Sequence, residues 1–137
     1  MRRLALVAVL VVVAGCGGDD KPSDADQVRA ALVSFGKATA AHDYTTMCTK
    51  LLAPTLLDKL RQVGLGCEEA LKQGLGDVKS PQLSVGKITV NGDTADAEVR
   101  TSAEGQAPST DTVQLRRVDG NWKIASLAGT AEPGPAP

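Results

Sequence analysis

The feature that most constrains this chain is a change of hydrophobic period near Gly76. Upstream, apolar residues recur at helical spacing. Downstream they alternate with polar ones around two tight-turn dipeptides, Asn91-Gly92 and Asp119-Gly120. Ser23 and Asp24 offer N-caps, with Asp26 and Gln27 three residues on as in a capping box. Val28, Ala31, Leu32, Phe35 and Ala38 then form one stripe of a helix running to about Ala41. His42-Asp43 breaks it. A second helical stretch begins near Tyr44, with Met47, Leu51 and Leu52 on its apolar side. Pro54 opens a third helix, since proline inside a helix costs ~3 kcal/mol but is tolerated at its first position. Gly64-Leu65-Gly66 ends that helix, and Cys67–Lys72 reads as a short fourth, with Glu68 and Glu69 at its positive end.

Leu83, Val85, Ile88 and Val90 lead into Asn91-Gly92, and Ala95, Ala97 and Val99 alternate with Asp96, Glu98 and Arg100 on the return. Gly105 to Ser109 reads as a polar loop. Val113, Leu115 and Val118 make a third strand, and Trp122, Ile124 and Leu127 a fourth beyond Asp119-Gly120. Helices followed by a four-stranded meander imply an α+β fold, with helices packed on one face of an antiparallel sheet.

Composition narrows the function. Phe35, Tyr44 and Trp122 are the only aromatic residues, too few for a base-stacking platform or an aromatic cage. The formal net charge is −1, with no basic stripe, so no nucleic-acid footprint exists and no polybasic lipid-binding patch either. Gly-rich phosphate loops, nucleophile elbows and metal-spaced histidines are all missing from the sequence, and no cofactor is implied.

The amino terminus has a different character. Met1-Arg2-Arg3 precedes an apolar and small-residue run from Leu4 to Gly15, about a dozen residues against the roughly 20 that a membrane-spanning helix needs. These are the parts of a cleaved export signal. Its exit, Val13-Ala14-Gly15-Cys16, resembles the lipobox of bacterial lipoproteins. The resemblance implies a diacylglyceryl thioether on Cys16 and removal of residues 1–15, placing the protein on the extracytoplasmic face of the cell membrane. The alternative is an ordinary secretory signal that happens to contain a cysteine. The Gly17-Gly18-Asp19-Asp20 segment that follows suits a lipidated tether, residues 16–23. With Cys16 assigned to lipid, Cys48 and Cys67 remain as a pair in an exported chain, which implies a disulfide. A redox or metal pair is disfavoured: there is no C-x-x-C spacing, and His42 is the only histidine. Residues 129–137, rich in Pro, Gly and Ala, read as a disordered tail.

Residues 24–128 resemble the NTF2-like superfamily of cone-shaped α+β domains, in its small exported actinobacterial lipoprotein form. The resemblance is carried by the opening helix to Ala41 and its break at Asp43-Tyr44, by Cys48-Thr49-Lys50-Leu51-Leu52-Ala53-Pro54 and Cys67-Glu68, and by Val113–Ile124. It implies a sheet curved around the first helix, enclosing a conical cavity, and it leaves activity and oligomeric state open, a dimer included. Catalytic members of the superfamily carry acid–base residues inside the cone. His42, Asp43 and Tyr44 are the only cluster of proton-transfer types, and read as a polar inter-helix turn with Asp43 as a cap and Tyr44 at the rim. Asp96 and Glu98 read as solvated, Arg116-Arg117 as a solvated edge, and Trp122 as core.

No catalytic residue is therefore assigned. The leading expectation is a non-catalytic, membrane-anchored domain that binds a protein partner or a small hydrophobic ligand. The alternatives are an isomerase- or dehydratase-type enzyme and a structural spacer of the cell envelope. An acid or histidine inside the cone, with a cavity beside it, would favour the enzyme.

Overall fold

A computed structural model describes residues 21–127. The expected signal, the lipid site at Cys16, most of the tether and the expected tail at 129–137 lie outside the described residues.

Helix α1, Asp24–Ala40, starts where the sequence places it. The backbone N–H of Asp26 donates to Ser23 Oγ at 3.2 Å, and the Ser23 N–H donates to Asp26 Oδ2 at 3.3 Å, a reciprocal capping box. The helix ends at Ala41 with His42 in the left-handed region at φ 54°. There the Asp43 N–H donates to Ala38 O and the His42 N–H to Thr39 O, which is a Schellman closure. Val28, Leu32, Ala38 and Thr39 are its buried residues.

The second helical stretch departs from expectation. Tyr44–Thr46 is a short helix, α2, capped by Asp43, whose Oδ1 accepts the Thr46 N–H at 3.1 Å. Met47–Leu51 then widens into a π-helix, closed by Leu52 N–H donating to Met47 O, five residues back. Within it Thr49 Oγ1 donates to Thr45 O at 2.7 Å, the same side-chain bond that Thr39 makes to Phe35 O in α1. Cys48 in this segment is bonded to Cys67, with Cα atoms 5.9 Å apart. Helix α3, Pro54–Gln62, has proline in its first turn, and α4 runs Cys67–Leu75, so the disulfide ties the π-helix to the start of α4.

Strands β1 (Gln82–Asn91), β2 (Thr94–Ala103), β3 (Gln106–Val118) and β4 (Asn121–Ile124) form one antiparallel sheet in sequence order. The break in alternation at Gly86-Lys87 is a bulge: pairing shifts between Val85 and Ile88, returning Ile88 and Val90 to the inner side. Two expectations need correction. The first hairpin turns on Gly92-Asp93, since Asn91 already pairs with Thr94. Gly92, at φ 60°, takes the first central position, where only glycine adopts that backbone cheaply. The expected polar loop at Gly105–Ser109 shrinks to a turn at Glu104-Gly105, and residues 106–109 continue β3 against β2. Pro108 is tolerated there because the β2–β3 register shifts between Thr101 and Ala103, which puts Ala107 and Pro108 together opposite Ser102 in a bulge.

Ala95, Ala97, Val99, Val113, Leu115, Trp122 and Ile124 are buried on one face of the sheet, in a single core with Val28 and Leu32 of α1 and Met47, Leu52, Leu56 and Leu71. Asp96 and Glu98 are exposed on the opposite face, as alternation requires. Arg117 is not a solvated edge residue. It is half-buried, pairs with Asp24 at 2.7 Å, and its backbone N–H donates to Asp93 O. The start of α1 and the Gly92-Asp93 and Asp119-Gly120 turns therefore share one end of the domain. At the other end, Gly36 packs against Leu83 so closely that a Cβ there would come within 3.2 Å of the leucine Cβ.

Candidate functional site: a groove between α1, the π-helix and β4

Three elements border an open groove of about 500 Å³. Helix α1 contributes the small residues Ala30, Ala31 and Ser34 and the side chain of Gln27. The π-helix contributes Thr49, Lys50 and Leu51, and β4 contributes Asn121, Trp122 and Lys123. π-Helical turns are rare and concentrate at functional sites; this one supplies three of its five residues to the groove.

Trp122 is the best-defined wall of the groove. Its side chain is 5% exposed, and the Arg117 guanidinium lies 4.8 Å from the ring centroid in a cation–π contact. Its indole Nε1 is buried without a hydrogen-bond partner among the described residues. An unmet buried donor costs about 1–3 kcal/mol. The backbone at this position also has no ladder partner on its outer side. The pair Val118–Asn121 closes the second hairpin, and the Ala125 N–H donates to Gln114 O, which sets the ladder phase. In that phase Trp122 and Ile124 turn their N–H and C=O groups away from β3. Ile124 O accepts the Ala53 N–H at 2.8 Å, and Leu52 bridges to Ile124, whereas this segment does not extend over Trp122.

Lys50 and Lys123 are the only charged residues lining the groove, and neither is in an ion pair among the described residues. Lys50 also acts on the neighbouring cap. Hydrogen bonds from the Thr46 side chain and backbone hold the Asp43 carboxyl below its ordinary value, and the Lys50 charge lowers it further.

The cone interior is smaller. Between α1 and the sheet lies an apolar cavity of about 80 Å³, lined by Leu32, Phe35, Leu83, Val99, Val113, Ile124 and Leu127, with Thr101 and Asp111 beside them. Asp111 is half-buried; its Oδ2 accepts from Ser109 Oγ at 2.9 Å, and Ser109 Oγ lies 3.1 Å from Thr101 Oγ1. Sequence reading missed this acid, although it shares strand parity with Val113 and Leu115. The third strand was read from its apolar positions, which begin at Val113.

His42, Asp43 and Tyr44 line neither space. They form the inter-helix turn that was expected, with one addition: His42 Nδ1 and Tyr44 Oη are 2.9 Å apart and their rings meet edge-on. The π-helical groove wall also escaped sequence reading. Among the described residues, no cluster of His, Cys, Asp and Glu could hold a metal, and no helix is long and apolar enough to cross a membrane.

No protein-family model matches the sequence, and no curated protein is significantly similar to it. Solved structures are. An NTF2-like protein of unknown function from Shewanella baltica superimposes with a TM-score of 0.55 at 14% identity, covering 77% of this chain and 93% of that one. A de novo designed NTF2-fold protein superimposes with a TM-score of 0.53 at 13% identity, over 82% of this chain and 90% of its own. At such identities the likeness speaks to architecture alone. Helices packed on a four-stranded antiparallel sheet, with α1 against its inner face, give this chain the NTF2-like α+β fold.

Proposed function

We propose that this protein is an extracytoplasmic lipoprotein, held to the membrane through Cys16, whose NTF2-like domain is a non-catalytic module that binds a protein partner in the α1–π-helix–β4 groove. The groove carries this reading. Its volume is in the range of binding sites, ~300–1,000 Å³, but its openness suits a chain lying across it better than an engulfed small molecule. Tryptophan and arginine, stacked here as Trp122 and Arg117, are the residue types enriched at interface hot spots. The lipobox-like Val13–Cys16 supports the anchor, and the Cys48–Cys67 disulfide is in keeping with an oxidising compartment.

A photo-crosslinking residue at Ser34, inside the groove, should capture one discrete protein in native membranes, whereas the same residue at Asp96 should not. Equal capture at both positions defeats the groove reading. Replacing Cys16 by alanine should release the protein from membranes, and full retention would remove the anchor.

A second reading has one observation in its favour. Asp111 stands on the cone wall beside an apolar cavity, the arrangement that an acid–base enzyme requires. The cavity of about 80 Å³ is well below the usual size of a substrate site, so the binding reading stands first. Conversion of a ketosteroid or similar carbonyl substrate, abolished by Asp111→Asn, would reverse that order.

A further inference from the structure

We infer that the occupant of the groove is an extended acidic segment of the partner, laid along β4; this rests on the binding reading above. Three observations converge on it. The first is charge. The chain as a whole is net negative, yet the groove is lined by Lys50 and Lys123 with no carboxylate between them. An acidic segment meets two cations without ion-pair partners, and a basic one meets only repulsion.

The second observation is the backbone edge. Trp122 turns its N–H and C=O outward at the point where the Leu52–Ala53 cover stops. An extended chain can satisfy both groups as an added strand, a recurring way in which a sheet edge recognises a peptide. The small side chains of Ala30, Ala31 and Ser34 leave room for its backbone to come close.

The third is the unpartnered indole Nε1 of Trp122, a buried donor awaiting an acceptor. A carbonyl or carboxylate oxygen on the incoming segment supplies one once the Trp122 ring turns toward the groove, since the atom has no accessible surface in this structure. In an extended chain alternate side chains share a face, so acids at every second position present to the lysines while the others face outward.

Trp122 is the only tryptophan in the chain, so its fluorescence reports occupancy of this groove directly. Full-length Cys16→Ser protein is titrated with three heptapeptides that alternate valine with Glu, Gln or Lys. The Glu peptide should shift the Trp122 emission and bind at least tenfold more tightly than the Gln peptide, with the Lys peptide weakest. Its affinity should fall as salt rises. The pair Lys50→Glu and Lys123→Glu should invert the order, and Lys50→Gln alone should reduce Glu-peptide binding several-fold.

Equal binding of all three peptides, with a Trp122 response, overturns the acidic preference while leaving the groove as a binding site. Glu-peptide binding that is silent at Trp122 and indifferent to the lysine variants overturns the location. Failure of every peptide, with discrete crosslinking retained at Ser34, defeats this inference alone. Loss of both defeats the binding reading as well.

Discussion

Removing the disulfide is the perturbation whose size follows most directly from the structure. Cys48 and Cys67 are 19 residues apart and clamp the π-helix, α3 and the start of α4 into one closed loop. In the chain-entropy model, closing a loop of about twenty residues removes ~11 cal/mol/K from the unfolded ensemble, or about 3 kcal/mol at 25 °C. A domain of about a hundred residues has an unfolding entropy near 0.2 kcal/mol/K at its midpoint, so Cys48→Ala/Cys67→Ala should lower Tm by about 15 °C. Differential scanning calorimetry of the oxidised parent and the double variant in one buffer measures this. Urea titration adds a second readout: the uncrosslinked unfolded chain exposes more surface, so the m-value should rise. A Tm loss under about 5 °C with an unchanged m-value would refute the reasoning, because the bridge would then not be restraining the unfolded chain.

Two further outcomes test local physics. His42 occupies the left-handed position of the α1 closure without being glycine, so His42→Gly should raise stability by about 1 kcal/mol in urea titration; a loss would show that its contact with Tyr44 outweighs the backbone strain. The Asp43 cap should be pH-dependent, since the folded carboxyl titrates below its ordinary value of 3.8. A depressed carboxylate contributes stability that is fully present above the unfolded pKa and is lost as pH falls through the folded one. The destabilisation caused by Asp43→Ala should accordingly be larger at pH 7 than at pH 2.5, and a difference independent of pH would remove the ionised cap.

Much of the architecture was legible because it follows from periodicity and turn chemistry. The Val28–Ala38 stripe, the Ser23 capping box and the Asp119-Gly120 turn each state their structure locally. The errors arise where a local rule met a competing bond. The π-helix is a matter of backbone pairing, Leu52 N–H to Met47 O, which hydrophobic spacing does not register. The first turn slipped by one residue because Gly92 can lead a turn as well as follow Asn91. Residues 106–109 look like a loop by composition, but backbone pairing with β2 makes them strand. The groove was illegible for a deeper reason: its third wall, β4, lies about seventy residues beyond the other two, and several of its side chains, such as Ala30 and Thr49, are ordinary surface types. Trp122 was expected in the core and is there, but its unpaired Nε1 is visible only once its surroundings are fixed.

The position of the α1 N-terminus has a consequence for reach. Ser23 is seven positions beyond Cys16, a span of at most ~25 Å. Helix α1, with 17 residues, is itself about 25 Å long. Under the proposed anchoring, the leash is therefore no longer than the helix that it holds. On that proposal the end bearing Asp24 and Arg117 would lie nearer the bilayer than the cavity residues Phe35, Leu83 and Asp111. The groove begins at Gln27, one turn from the tethered end. A partner would have to offer its acidic segment within a few nanometres of the membrane, and one whose segment lies farther out could not be reached.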